Sequence, residues 1–344
     1  MRVRLANMTS VQRFGASCKA PKVRNQVAAD NQFQKLKRQL RLVYCAAIPA
    51  PPKSDTRHAG NNGHSALSDN EFPPPPPTPQ PIPVVGVVSP ASAYDRAVGA
   101  GTSKAQQPWH KIVVMGIMAG IMIGYGGFLA ASIGGACPGL AASNPGLQKM
   151  VMGAFGLPFG LLMVLVCGAD LFTGNTAVVT AALHEGKVTL RQLFKSWTLS
   201  YIGNFIGSLL LVGAVSQAGM FAAGSAPAQL AVYKTSHTFL ETFMRGILCN
   251  FLVCIGVWQA TAANSLSGKA IGVWFPISAF VAMGLEHSVA NMFLIPMGMA
   301  LGAPVSISQF LTANLIPVTL GNIVGGAIFV GTAYAYIFGR LGKK

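Results

Sequence analysis

The chain has 344 residues, of which 51% are hydrophobic and only 10% charged, and its mean hydropathy is +0.48. Soluble domains carry about 25% charged residues, so this composition excludes an ordinary soluble enzyme and fits a membrane protein. The formal net charge of +16 does not mark a nucleic-acid binder, because ten of the 25 Lys/Arg crowd into residues 1–50 and no basic face with interleaved aromatics follows.

Residues 1–47 are basic and acid-poor, with Asp30 as their single acid. The basic residues from Arg2 to Arg41 never give way to an apolar core, which excludes a secretory signal. The pattern is that of an organelle transit peptide; a basic tail that binds anionic lipid is the other reading. Residues 48–107 read as a disordered Pro-rich linker. Pro73 to Pro77, then Pro79, Pro81 and Pro83, favour polyproline II and a semi-rigid spacer over a ligand for a proline-binding domain.

A membrane domain is expected over 108–344. Six apolar stretches, 112–133, 151–182, 196–215, 239–262, 271–301 and 310–338, are each long enough to cross a bilayer core of about 30 Å as a helix. The second and fifth are too long for one straight span. The second is interrupted by Gly156, Pro158 and Gly160, the fifth by Glu286-His287, and both read as broken helices. Lys104, Lys111, Lys187, Arg191, Lys195, Lys269, Arg340, Lys343 and Lys344 collect on one side, against Lys149 and Lys234 on the other. Both termini are therefore expected in the positive-inside compartment.

The two halves resemble each other. Gly168-Ala169-Asp170 with Asn175 matches Gly284-Leu285-Glu286 with Asn291, and Gly203-Asn204 with Gly207 matches Gly321-Asn322 with Gly325. The second copies lie 116 and 118 residues further on. With three spans per half, the second half must enter from the opposite side, which predicts an all-α, inverted 3+3 repeat with its site at the broken helices.

These motifs are also recognisable. The segments 167–173 and 284–293, together with Arg245-Gly246-Ile247-Leu248-Cys249-Asn250 and the run from Asn314 to Asn322, resemble the signatures of the formate/nitrite transporter family over about residues 105–340. The chain looks most like the plastid members of green algae. The resemblance implies an aquaporin-like six-helix protomer in a homopentamer, with one pore per protomer. The substrates it implies are small monovalent anions such as nitrite, formate and bicarbonate. It implies that His287 is the pore histidine and Thr173 the threonine facing it. Leu161 with Phe280 form one constriction and Leu171 with Phe172 the other. Lys234, Asn250, Glu286 and Asn291 support the histidine. One departure is Leu157, where bacterial formate channels carry Phe at a constriction, and it leaves pore width open.

The residues carry their own reading beside this. His287 is the one histidine at mid-membrane depth, and an intramembrane ionisable group is a functional hypothesis by default; a structural histidine satisfied by Glu286 is the alternative. Asp170 and Glu286 suit helix-end support better than a catalytic acid pair. Lys234 reads either as a rim charge that attracts anions or as a solvated loop lysine. No second histidine lies at ligand spacing from His287 and no CxxC exists, so no metal, cofactor or disulfide framework is expected. The expectation is a weak-acid anion channel or transporter in the chloroplast inner envelope, with both termini stromal and transient protonation at His287. Nitrite is favoured over bicarbonate, and a neutral-solute channel ranks behind both. A membrane enzyme ranks last.

Overall fold

Ser89 caps the first helix of the computed structural model, which describes residues 86–343. The leader and the Pro73–Pro83 run lie outside the described residues. The Ser89 side chain accepts the Ser92 N–H, and Pro90 takes the first helical position, where a missing N–H costs nothing. Helix α1 runs Pro90–Gln106, with Ala93, Tyr94, Ala97, Val98, Gly101 and Ala105 buried at helical spacing. The linker expectation is corrected here: residues 90–106 are a packed helix. Its buried face is built from small side chains, so no long apolar run announces it.

Then follow α2 (Trp109–Ile133), α3 (Pro138–Ser143), α4 (Pro145–Ala154), α5 (Leu157–Cys167), α6 (Phe172–His184), α7 (Leu190–Gln217), α8 (Ala226–Lys234), α9 (Phe239–Ala262), α10 (Leu266–Ala282) and α11 (Ser288–Ala300). The last helix, α12, spans Ile307–Phe338. Among the described residues five stretches are long and apolar enough to cross a membrane: α2, α4 with α5, α7, α9 and α12. Helices α6 and α11 have 13 residues each. At 1.5 Å per residue that is about 20 Å, short of a bilayer core.

Small residues set the helix crossings, as expected where backbones must approach closely in lipid. A Cβ on Gly116 of α2 would stand 3.1 Å from Gly203 of α7, and one on Gly246 of α9 would stand 3.2 Å from Gly321 of α12. A Cβ on Gly120 would strike the Asn204 carbonyl of α7 outright. Helix α12 is wound as a π-helix over Phe310–Leu315 and Val324–Thr332, an uncommon winding that often marks functional segments. Gly326, within the second, lies against the Thr176 hydroxyl and the Asn250 amide.

The start of the fold is tied down. Val88 N–H donates to the Ala262 carbonyl at 3.0 Å and Asn264 N–H to the Gly86 carbonyl at 3.2 Å. The buried Tyr94 hydroxyl donates to Glu185 at 2.7 Å, and the same carboxylate oxygen accepts the Arg340 N–H at 2.9 Å.

Gly120→Val is expected to abolish recovery of folded, detergent-soluble protein, because the α2–α7 crossing has no room for it. Gly213→Ala, where an added Cβ meets nothing within 4 Å, should melt at or a few degrees above the wild-type temperature, since Ala is about 0.8–1.0 kcal/mol better than Gly in a helix. Size-exclusion recovery and thermal melts in detergent check both.

Candidate functional site

Two helix breaks face each other. Helix α5 ends at Gly168, with φ +78°, and α10 runs out through Gly284, with φ +72°. Both are in the left-handed region that L side chains resist, so glycine is the residue that allows the chain to turn there. Three residues later in each case a short helix starts: α6 after Leu171, α11 after His287.

A helix that starts or ends in a buried interior leaves backbone groups that need partners. An asparagine from a neighbouring long helix supplies them at each break. Asn204 of α7 accepts the Phe172 N–H at 2.9 Å and donates to the Gly116 and Asp170 carbonyls at 2.8 and 3.0 Å. Asn322 of α12 accepts the Ser288 N–H at 2.9 Å and donates to the Gly246 and Glu286 carbonyls at 2.8 and 3.0 Å. Both side chains are fully buried.

The acids follow the same plan. Asp170 pairs with Lys104 at 2.8 Å and accepts from the Asn175 amide at 2.7 Å. Glu286 pairs with Lys234 at 3.0 Å, accepts from the Asn291 amide at 2.7 Å and from Asn314 at 3.1 Å. Each carboxylate is wholly buried and each has its own lysine. The two are therefore not a shared acid pair: their bonds are spent on holding the loops at the breaks. Lys234 is a paired charge with 12% of its side chain exposed, so the solvated-loop reading fails.

Between the breaks, Thr173 Oγ1 and His287 Nε2 are 2.9 Å apart. His287 caps α11, its Nδ1 accepting the Ala290 N–H at 3.0 Å. A backbone N–H can only donate, so Nδ1 holds a lone pair and the ring proton sits on Nε2. That N–H donates to Thr173, which leaves the threonine hydroxyl proton free to turn elsewhere. The N-termini of α6 and α11, the positive ends of their dipoles, flank this pair.

Three cavities lie along the site. One of about 70 Å³ is bordered by Tyr233, Lys234 and Glu286, and another of about 180 Å³ by Lys104, Asn175 and Lys269. A central gap of about 10 Å³ sits between apolar side chains with His287 as its one polar member. That volume is about one water. Leu157 and Phe280 line both the first cavity and the gap. Leu161 and Leu171 line both the gap and the other cavity. The Phe280 ring stacks on His287 at 6.0 Å between centroids.

The structure thus brings together His287, Thr173, Leu157, Leu161, Leu171 and Phe280, and it corrects two expectations. Phe172 lies outside the gap and stands edge-on to Tyr201 at 4.9 Å, beside Trp197. Leu161 and Phe280 line the gap together, with Leu157 and Leu171 beside them. Asn250 donates to the Thr173 carbonyl, the Thr176 hydroxyl and the Asn322 carbonyl at 3.2, 3.0 and 2.6 Å, so it holds the threonine-bearing helix and not the histidine. The sequence reading also left Lys104, Asn175, Asn204, Asn314 and Asn322 out of the site, although the repeated Gly-Asn motifs had singled out Asn204 and Asn322.

The family profile described as "Formate/nitrite transporter" matches residues 91–336. The chain belongs to the formate/nitrite transporter family. It is 39% identical over 270 residues to a probable formate transporter of Methanothermobacter thermautotrophicus, covering 73% of this chain and 97% of that protein. It is 36% identical over 274 residues to the formate channel FocA of Escherichia coli strain K12, covering 73% and 94%. Among solved structures it is similar to an FNT family ion channel, with TM-score 0.66, 28% identity and coverage of 72% and 98%. It is also similar to a pentameric formate channel with formate bound, with TM-score 0.58, 32% identity and coverage of 67% and 97%. These relatives are channels and transporters, and this formate/nitrite transporter family member is likewise not an enzyme.

Replacing Asn322 by Leu leaves the Ser288 N–H without its partner and takes a donor from the Gly246 and Glu286 carbonyls, and a buried unsatisfied group costs about 1–3 kcal/mol. Thermal unfolding of the purified protein should show a loss of at least about 2 kcal/mol, and Asn204→Leu should match it. An unchanged melt would show that the two asparagines do not hold the helix starts.

Proposed function

We propose that the chain forms a homopentameric channel or transporter, with a pore in each protomer, for small monovalent weak-acid anions. Its main task is nitrite import into the plastid. The observation that carries the reading is the Thr173–His287 bond of 2.9 Å at the apolar gap between two helix N-termini. The names of the similar proteins support formate-sized anions and a pentamer. The matched asparagine and acid–lysine sets at 170 and 286 support an inverted 3+3 repeat with spans two and five broken.

The transport step follows from these groups. A bare anion between leucines loses its hydration at high cost. Lys104 and Lys234 border the two wider cavities, where an anion still keeps water. At the gap, the positive helix ends and the Thr173 hydroxyl can bond the anion while His287 Nε2–H holds the threonine oriented. Transient protonation at His287 requires Nδ1 to release the Ala290 N–H and take a proton from water; the imidazolium then passes its Nε2 proton to the Thr173 hydroxyl as that hydroxyl gives its own proton to the anion, so that the neutral acid crosses and the ring is left neutral with its proton on Nδ1. The apolar gap then rejects anions of strong acids, which stay charged. The basic leader supports import into a plastid and residence in the inner envelope, with both termini stromal.

Two tests address the pore. His287→Asn keeps an acceptor at the cap of α11, because Asn is a good N-cap, but it carries no transferable proton. In liposomes the assembled variant should lose coupling of nitrite and formate uptake to the pH gradient, while Thr173→Val should cut flux roughly tenfold, about 1.4 kcal/mol, with coupling kept. Assembled His287→Asn protein with wild-type pH coupling would overturn the proton step. Replacing Leu157 and Phe280 together by Ala should raise flux and admit nitrate alongside nitrite; unchanged selection would place the filter elsewhere. In cells, loss of the protein should slow growth on limiting nitrite at high carbon dioxide. A defect confined to low carbon dioxide would assign bicarbonate instead.

A further inference from the structure

One charged cluster at the Lys234 side is used by none of the steps above. Helix α8 ends at Lys234 and α9 begins at Phe239. Across this turn, Arg245 Nη1 donates to His237 Nε2 at 2.8 Å and to the Tyr233 hydroxyl at 3.2 Å. The His237 ring stands edge-on to Tyr233, 4.8 Å between centroids, and the guanidinium carbon lies 6.0 Å from the Tyr233 ring. Because Nε2 accepts, His237 is neutral here. Burial, and then the neighbouring Arg245 charge, hold its pKa below the ordinary histidine value.

Arg245 makes no ion pair within 4 Å among the described residues. The Glu241 charge, one turn earlier, acts on it at longer range, while Glu241 Oε2 accepts the Thr238 N–H and hydroxyl at 2.9 and 2.8 Å, closing the capping box of α9. Glu286 is taken by Lys234, Asn291 and Asn314. The fold does not need a guanidinium at this position either. The Arg245 carbonyl accepts the Glu286 N–H, and at the other break Met115 gives its carbonyl to the Asp170 N–H in the same way. Met115 precedes Gly116 as Arg245 precedes Gly246. The pairing of the two halves therefore fails at this side chain.

The donor count points to a ligand. Both N–H groups of Nη1 go to His237 and Tyr233, which fixes the plane of the guanidinium. Nε–H and the Nη2 N–H groups remain, and together they form the fork that matches two oxygens of one planar anion. Arg245 is part-exposed, and its partner Tyr233 borders the cavity that leads to His287.

We propose that Arg245, aimed by His237 and Tyr233, is a docking residue at the Lys234-side mouth that selects planar anions with two acceptor oxygens, such as formate, nitrite and bicarbonate, before they pass inward. The proposal rests on the anion-pore reading. A lysine at 245 keeps the charge but presents no planar fork, and this separates docking from simple attraction. His237 is a positioning residue: its work is to hold the guanidinium.

The test uses pentamers in liposomes, with initial flux measured against concentration for formate, nitrite and hydrosulfide, the last an anion without two oxygens. Arg245→Lys and Arg245→Gln should each raise half-saturation for formate and nitrite about five- to tenfold with the maximal rate unchanged, the signature of lost binding that is uniform along the reaction. Hydrosulfide half-saturation should stay at the wild-type value in Arg245→Lys. His237→Leu should reproduce the formate shift and His237→Gln, which keeps an acceptor, should restore most of it. Wild-type half-saturation for formate in assembled Arg245→Lys would overturn the docking site, as would an equal shift for hydrosulfide. Wild-type vesicles that carry none of these anions would overturn the channel reading itself, and this site with it.

Discussion

Ending a helix inside a membrane exposes N–H and C=O groups where no water can reach them, and each such group costs several kcal/mol if left alone. Two buried asparagines meet this cost. Asn204 and Asn322 each take the first N–H of a short helix and each hold two carbonyls, one at the break and one on a long helix. A carboxamide is the side chain that can do this, because it offers an acceptor and two donors on a single rigid plane. With those bonds made, α6 and α11 can stop near the centre and point their positive ends at a gap. The rest of the site inherits its position from them.

The same constraint explains the charge pattern. A carboxylate at 170 or 286 ties its loop through the neighbouring asparagine amide, but a buried carboxylate needs a counter-charge. Lys104 and Lys234 supply it from α1 and α8, and both lysines border a cavity that opens away from the gap. One pair of residues on each side thereby neutralises the buried acid and, in the pore proposed above, gives anions a positive approach. The gap itself stays apolar, with His287 and Thr173 as the polar pair beside it. Narrowness and dryness there come from leucines and one phenylalanine, and orientation comes from the histidine cap of α11.

Much of this was legible in the chain because it is written twice. Gly168 and Gly284, the acids two residues on, Asn175 and Asn291, and the Gly-Asn pairs at 203 and 321 recur in order. A repeat of that kind reports geometry that hydropathy alone does not. What escaped did so for physical reasons. Helix α1 buries alanine, glycine, one valine and one tyrosine against neighbouring helices, so it lacks the long apolar run that marks a span, and Lys104 was hidden with it. Phe172 starts a helix between Leu171, which lines the gap, and Thr173, which bonds His287. Sequence cannot say which of three successive side chains points outward to Tyr201.

The short antiparallel contact of residues 86–88 with 262–264 sets how the chain can be trimmed. Cleavage or truncation within residues 86–88 breaks the two backbone bonds that hold this segment to 262–264. A cut after Gln106 takes away α1, and with it the ammonium that neutralises Asp170 and the tyrosine that joins Glu185 to the end of α12. The remaining bundle would keep most of its apolar spans and still carry a bare carboxylate in its interior. A shortened protein that inserts into membrane but conducts nothing is the outcome to expect when the cut falls after Gln106.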